Sequence, residues 1–252
     1  MLSQILHDGP DGTPLLIAHG LYGSARNWGV IAKRLSDRGP VIVVDMRNHG
    51  ASDWHSTHSY ADLAGDLAET LESIGEPSDV LGHSMGGKAA MVLALTRPDL
   101  VRKLVVADIA PVAYKHTQQG MIDAMRGVDL SGVEKRSDAD VKLAKTVEDQ
   151  GVRAFLLQSL DVAQKRWRLN LDVLSAEMDK IIGFPQLTGA FEGPALFLSG
   201  GMSDYVLPEH RPQIKSIFPN AKFAKIPGAG HWLHAEKPRE FEAAVRAYLD
   251  QA

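Results

Sequence analysis

The chain contains no cysteine. That single absence excludes a disulfide framework, a thiolate metal site and a cysteine nucleophile, and leaves stability to packing. An excess of positive charge is missing as well: Lys+Arg 27 stand against Asp+Glu 31, a formal net charge of −4, dispersed instead of gathered in blocks. A nucleic-acid-binding surface is not expected from such a balance. Long apolar runs are also absent. Stretches such as 89–95 fall far short of the ~20 residues a membrane helix needs, and residues 1–10 show no basic start leading into an apolar stretch. The expectation is a globular protein of the reducing cytoplasm without membrane insertion, and 252 residues suffice for one packed core.

What is present is a rhythm. Short runs rich in Val, Ile and Leu at 14–20, 40–45, 79–82, 103–108, 194–200 and 221–227 alternate with amphipathic stretches at 25–38, 59–74, 85–96, 208–218 and 238–250. Strand-like runs apolar on both faces, separated by helical ones, predict an α/β fold with a mostly parallel, doubly wound sheet. The interval 112–193 breaks the pattern, because a crossover needs only about a dozen residues. Helical periodicity at 139–159 and 164–182 predicts a helical cap insertion over the C-terminal edge of the sheet, where open α/β folds place ligands. One domain is expected, with core 1–111 and 194–252 and the cap at about 112–193.

Gly82-His83-Ser84-Met85-Gly86 fits G-x-S-x-G, between a strand-like run and a helix that stops ahead of Pro98. Strand, turn and helix are the setting in which this motif lifts a strained serine above a sheet edge. Its glycines allow backbone approaches that side chains would block. A phosphate-loop reading of 82–88 fails at Ala89, where a hydroxyl should hold Mg²⁺.

A serine hydroxyl is a poor nucleophile unless an imidazole takes its proton. Among 10 histidines, His231 stands out, directly after the last strand in the glycine-rich 227–231. His234 reads as its structural neighbour. The order serine, acid, histidine is that of α/β-hydrolase triads. Acyl transfer also needs donors aimed at the developing alkoxide. The amides of Met85 and of Leu21, in the loop after the first buried strand, are the candidates, and His19 reads as a brace of that loop. Two aspartates compete for the acid: Asp108 after the 103–108 strand, and Asp204, in a G-x-x-D-x-x-x-P stretch at 201–208. If the preceding strand ends at Gly200, the acid's slot falls instead on Ser203.

His19-Gly20, Asp45-Met46-Arg47-Asn48-His49-Gly50-Ala51-Ser52, Gly82-His83-Ser84-Met85-Gly86-Gly87-Lys88, Asp108-Ile109-Ala110-Pro111 and the stretch from Gly228 through His231 to Pro238 together resemble the α/β-hydrolase superfamily. More narrowly they resemble its YbfF-like esterase branch. The resemblance implies a cofactor-free hydrolase of small or acyl-chain carboxylic esters or thioesters, working through an acyl-enzyme. It further implies Asp108 as the acid, with Ser203 as an auxiliary hydrogen-bond partner of His231, Asp204 remaining the alternative. Such a scaffold also hosts C–C bond hydrolysis, perhydrolysis and lyase chemistry, or a receptor with a vestigial triad. An aspartate nucleophile is absent from the elbow, which argues against haloalkane dehalogenase and epoxide hydrolase chemistry.

His49, Asp53, His55 and His58 lack the spacing of a known metal motif, and no metal is expected. Arg47 and Asn48 read as loop braces. In the insertion, Met121, Phe155 and Trp167 are candidate substrate contacts on an apolar supply that core packing explains equally well.

Overall fold

The computed structural model describes residues 1–251. In chain order its elements are β1 (Gln4–His7), β2 (Leu15–Ala18), α1 (Gly29–Leu35), β3 (Val41–Val44), α2 (Tyr60–Ile74), β4 (Ser78–His83), α3 (Met85–Thr96) and β5 (Val101–Ala107). An insertion follows with α4 (Gln119–Arg126), α5 (Arg136–Leu143), α6 (Gln150–Leu156), β6 (Leu160–Asp161), β7 (Arg166–Trp167), α7 (Leu171–Ala176) and α8 (Met178–Ile182). The chain then returns to the core through β8 (Ala195–Gly200), α9 (Arg211–Ile217), β9 (Ala221–Ile226), α10 (Leu233–Glu236) and α11 (Pro238–Leu249).

Seven strands form one sheet in the order β1-β3-β2-β4-β5-β8-β9. All neighbours run parallel except β1 against β3. Alternate strand residues feed opposite faces, as a two-residue period requires. Leu16, Ala18, Val80, Leu104 and Val106 pack with Leu63, Leu67 and Met91 of α2 and α3, whereas Leu15, Ile17, Leu81 and Val105 pack with Ile31 and Leu35 of α1 and Phe241 and Val245 of α11. Covering both faces explains why β2, β3, β4 and β8 are buried at every position and β5 at all but Arg102.

Register fixes the site. Ala18 pairs with Gly82, Gly82 with Val106, and Ala107 with Leu198. The residues that follow β2, β4, β5 and β8 therefore emerge side by side along one edge.

Several expectations need correction. Residues 25–38 are a 3₁₀ turn, 25–28, followed by α1, with Ser24 and Asn27 closing a capping box ahead of the turn. The helix expected over 139–159 is broken at 144–149, where Asp149 caps α6. The one expected over 164–182 is a hairpin strand plus α7 and α8, because Asn170 caps a new helix there. Strand β1 and helix α4 were not expected: β1 is an exposed edge strand without an apolar period. Among the described residues no helix is long and apolar enough to cross a membrane.

Candidate active site

Ser84 follows β4 with φ 53° and ψ −119°, in the left-handed half of the backbone map that a residue with a side chain rarely occupies. The surroundings enforce this. A Cβ on Gly82 would lie 2.3 Å from the Gly86 carbonyl oxygen, and one on Gly86 would lie 2.4 Å from that of Ala18. The turn is thus packed against both its own helix and the neighbouring strand, and the Ser84 N–H donates to the Ala107 carbonyl at 3.0 Å.

The Ser84 hydroxyl lies 3.0 Å from Nε2 of His231, and His231 Nδ1 lies 2.8 Å from Oδ2 of Asp108. Asp108 is fully buried, also at positive φ (52°). Its Oδ1 accepts from the Gly200 N–H at 2.9 Å and its Oδ2 from the Ser203 hydroxyl at 2.5 Å. With Nδ1 protonated against that carboxylate, Nε2 is left to accept from the Ser84 hydroxyl. Asp204 is exposed. Strand β8 ends at Gly200, so the backbone presents Ser203, not Asp204, to the site. The expectation that Ser203 bonds His231 needs correcting: its hydroxyl donates to Asp108, because the carboxylate is the acceptor in reach.

Leu21 and Met85 lie on the two sides of the serine, in the loop after β2 and at the start of α3, and both line the cavity above it. Neither amide donates to a carbonyl among the described residues, which leaves both N–H groups without a protein partner. The β2 loop is held by histidines. His19 donates through Nδ1 to the Gly20 carbonyl (2.8 Å) while Nε2 accepts from the Met46 N–H (3.0 Å). His49 donates to the Arg47 carbonyl and accepts from the Tyr22 N–H. Burial pushes both imidazoles below their ordinary range, so they stay neutral and keep these donor and acceptor roles.

The other residues singled out by sequence have equally local partners. Arg47 forks onto Asp66 at 2.6 and 2.7 Å. His58 accepts from Asn48 and contacts the Met85 sulfur at 3.2 Å, and burial lowers it to about 3. Both His49 and His58 spend their ring nitrogens on bracing. His234 stacks on Trp28 with centroids 4.2 Å apart and is also lowered to about 3 by burial. The segment 168–170 docks the insertion onto the loop after β3: the Gly50 N–H donates to the Arg168 carbonyl, and Asn170 bonds Asn48 through backbone and side chain.

A cavity of about 310 Å³ opens above Ser84, lined by Leu21, Met121, Val152, Phe155, Ile181 and Ile182 as well as Tyr60, Tyr114 and Tyr205. Met121 and Phe155 therefore face the site. Trp167 does not: it is buried within the insertion, its indole N–H donating to the Met125 carbonyl at 2.9 Å. Sequence reasoning missed Lys88. Its ammonium donates to the carbonyls of Val112 and Ile182 at 2.9 Å and of Gly183 at 2.5 Å, the two ends of the insertion, and lies 4.7 Å from the Tyr114 ring centroid. Burial lowers it to about 7. A lysine in an otherwise apolar helical stretch, Met85 to Leu95, was the available signal.

A family model described as the alpha/beta hydrolase fold matches residues 13–238. The chain belongs to that family. It is 42% identical over 260 residues to the sn-1-specific diacylglycerol lipase ABHD11 of Mus musculus, covering 98% of this chain and 85% of the relative. It is 38% identical over 250 residues to the esterase YbfF of Escherichia coli, covering 98% and 97%. A solved structure described as a marine microorganism esterase superposes with a TM-score of 0.92 at 38% identity, over 98% of this chain and 100% of that one.

Proposed function

We propose that the protein is a serine esterase that cleaves carboxylic esters carrying an apolar acyl group through an acyl-enzyme on Ser84. The observation that carries this reading is the unbroken line from Ser84 through His231 to Asp108, with contacts of 3.0 and 2.8 Å, beneath a largely apolar cavity. Relatives named as esterases and as a diacylglycerol lipase agree with an ester whose acyl part is lipid-like. In this reading the segment between β5 and β8 is a cap whose residues, Met121 and Phe155 among them, surround the acyl group.

Each step follows from a group in place. Ser84 Oγ attacks the carbonyl carbon as its proton passes to His231 Nε2. Asp108 holds the ring by Nδ1–H and stabilises the imidazolium. The amides of Met85 and Leu21 receive the negative oxygen. The imidazolium then protonates the departing alcohol, and water, deprotonated by the same nitrogen, releases the acid and restores Ser84. A thioester would follow the same path with a thiol leaving. Incubation with a fluorophosphonate, followed by intact mass and peptide mapping, tests the reading. One adduct on Ser84 is expected, and Ser84→Ala should label nowhere and hydrolyse p-nitrophenyl esters at background rate. Well-folded protein without an adduct at that residue rejects it.

A further inference from the structure

The hydrogen bonds to His231 hold both ring nitrogens but leave the ring free to tilt about the line joining them. The loop that carries it has Gly228 at φ +67° and Gly230 directly before the histidine, and its hydrogen bonds, the Gly230 N–H to Glu236 and the Met202 N–H to the Ala229 carbonyl, fix the backbone but not the plane of the ring. A face-on neighbour supplies the missing restraint: the Tyr205 ring stacks on the imidazole with centroids 3.9 Å apart and planes 18° from parallel. His83 lies near the same ring, 4.9 Å between centroids, and donates through Nε2 to the His231 carbonyl at 2.9 Å. Burial keeps His83 and His234 neutral, which leaves the Asp108 carboxylate as the charged group in direct contact with the imidazole.

Tyr205 is itself held at several points. Its carbonyl accepts from the Tyr114 hydroxyl at 2.7 Å, its N–H donates to Ser203 Oγ at 3.3 Å, and its hydroxyl meets His116 Nε2 at 2.9 Å and Gln118 Nε2 at 3.3 Å. The Gln118 carbonyl in turn accepts from the Tyr22 hydroxyl at 2.8 Å, beside Leu21. One short stretch of the insertion, 114–118, thus grips the ring stacked on the base and the loop that carries an oxyanion amide.

We propose that Tyr205 is a positioning residue for His231, its ring fixing the tilt of the imidazole and its hydroxyl tying that ring to the start of the insertion. The proposal rests on the serine-esterase reading. A π face also attracts a cation more than a neutral ring, so the stack strengthens as His231 takes the serine proton, and its contribution belongs to turnover instead of ground-state binding.

The test compares Tyr205→Leu, Tyr205→Phe and Ser84→Ala on a soluble p-nitrophenyl ester, with near-UV circular dichroism as a check of folding. Tyr205→Leu should lower kcat about tenfold with KM within about twofold, and should slow fluorophosphonate labelling in parallel. Tyr205→Phe keeps the face and should stay within about threefold on both. If the Leu variant does not fold, Tyr205→Met, a flexible side chain of about leucine's size without a π face, makes the same comparison. A Leu or Met variant with kcat within twofold of the unchanged protein overturns the proposal, as does a loss confined to KM or a Phe variant as impaired as Leu. Turnover surviving in Ser84→Ala would instead overturn the esterase reading.

Discussion

Asp108 is buried with no exposure of its own, and its carboxylate accepts from the Gly200 amide, the Ser203 hydroxyl and the His231 imidazole. An asparagine there would keep the shape but replace one acceptor oxygen with an NH2 donor; the Gly200 amide holds the remaining oxygen at the Oδ1 position, which turns the NH2 toward Ser203 and His231. His231 would then settle in the tautomer that turns a hydrogen toward Ser84, and the serine could no longer give up its proton. Asp108→Asn should lower kcat about 10⁴-fold, by analogy with the serine-protease triad, while Asp204→Asn, exposed at the surface, should stay within about twofold. Steady-state rates of the two variants decide it, and the reverse ranking would move the acid to Asp204. A second change tests the elbow. A Cβ at Gly86 would meet the Ala18 and His19 carbonyl oxygens at 2.4 and 2.5 Å, so two backbones must part. Gly86→Ala should destabilise by about 3 kcal/mol, the upper range for overpacking, and urea midpoints within error of the unchanged protein would refute it. Ser84 and His231 were legible because glycines flank both, and glycine is placed by backbone geometry that a single sequence displays. The acid stayed ambiguous, since whether position 203 or 204 points inward depends on one residue of strand length, which propensity does not fix.

Helix α3 joins the elbow to the insertion through one buried side chain. Lys88 supplies all three of its N–H donors to the carbonyls of Val112, Ile182 and Gly183, so the two ends of a long excursion are fastened to the helix that carries the serine. Methionine would fill the same space and leave the Val112 and Gly183 carbonyls unpaired, while the Ile182 carbonyl would keep the Tyr114 N–H at 3.0 Å. Lys88→Met should cost about 3 kcal/mol, since each buried group left without a partner costs ~1–3 kcal/mol before relaxation or water entry reduces the sum. Limited proteolysis should also cut first within the insertion. A change in unfolding free energy below about 1 kcal/mol with an unaltered cleavage pattern would refute the clamp. The same element explains where sequence reading stopped. The core strands β2 to β5 and β8 announce themselves as apolar runs closed by turn residues, because they are buried on both faces, whereas β9, at the sheet edge, is bounded by turn residues but buried only at its ends. The insertion is built from helices of five to eight residues whose ends are set by Asp149 and Asn170 caps and by contacts with the core. Periodicity over such short pieces merges neighbours into one apparent helix. The partners of Lys88 and Tyr205 lie up to 95 residues away along the chain, beyond the reach of any local pattern.

Across the molecule, neutral histidines form much of the scaffolding behind the site. His19, His49, His58, His83 and His234 are all buried, and burial lowers the pKa of each, to about 3 for His58 and His234. In the unfolded chain the same groups titrate near the ordinary ~6.5. Above that value both states are neutral and the five cost nothing. Below it the unfolded chain takes up protons that the folded one refuses, so stability falls as pH drops through ~6.5 and keeps falling toward the folded-state values. Each group contributes up to ~1.4 kcal/mol per pH unit in that window. Acting together they remove several kcal/mol per unit from a total that for most domains is only ~5–15 kcal/mol. Lys88, lowered to about 7, makes stability fall gently between pH 8 and 7; urea midpoints should therefore decline slightly in that window, drop steeply below pH 6.5, and reach zero near pH 5, before most carboxylates are protonated. His234→Phe supplies the control. Phenylalanine keeps an aromatic plane against Trp28, where the imidazole now stacks at 4.2 Å, and removes a ring whose Nδ1 has no hydrogen-bond partner among the described residues. The variant should match the unchanged protein at pH 8 and unfold at a lower pH in acid. A midpoint constant from pH 8 to pH 5 would mean that these imidazoles gain water or partners on protonation, and that the scaffold does not depend on their neutrality.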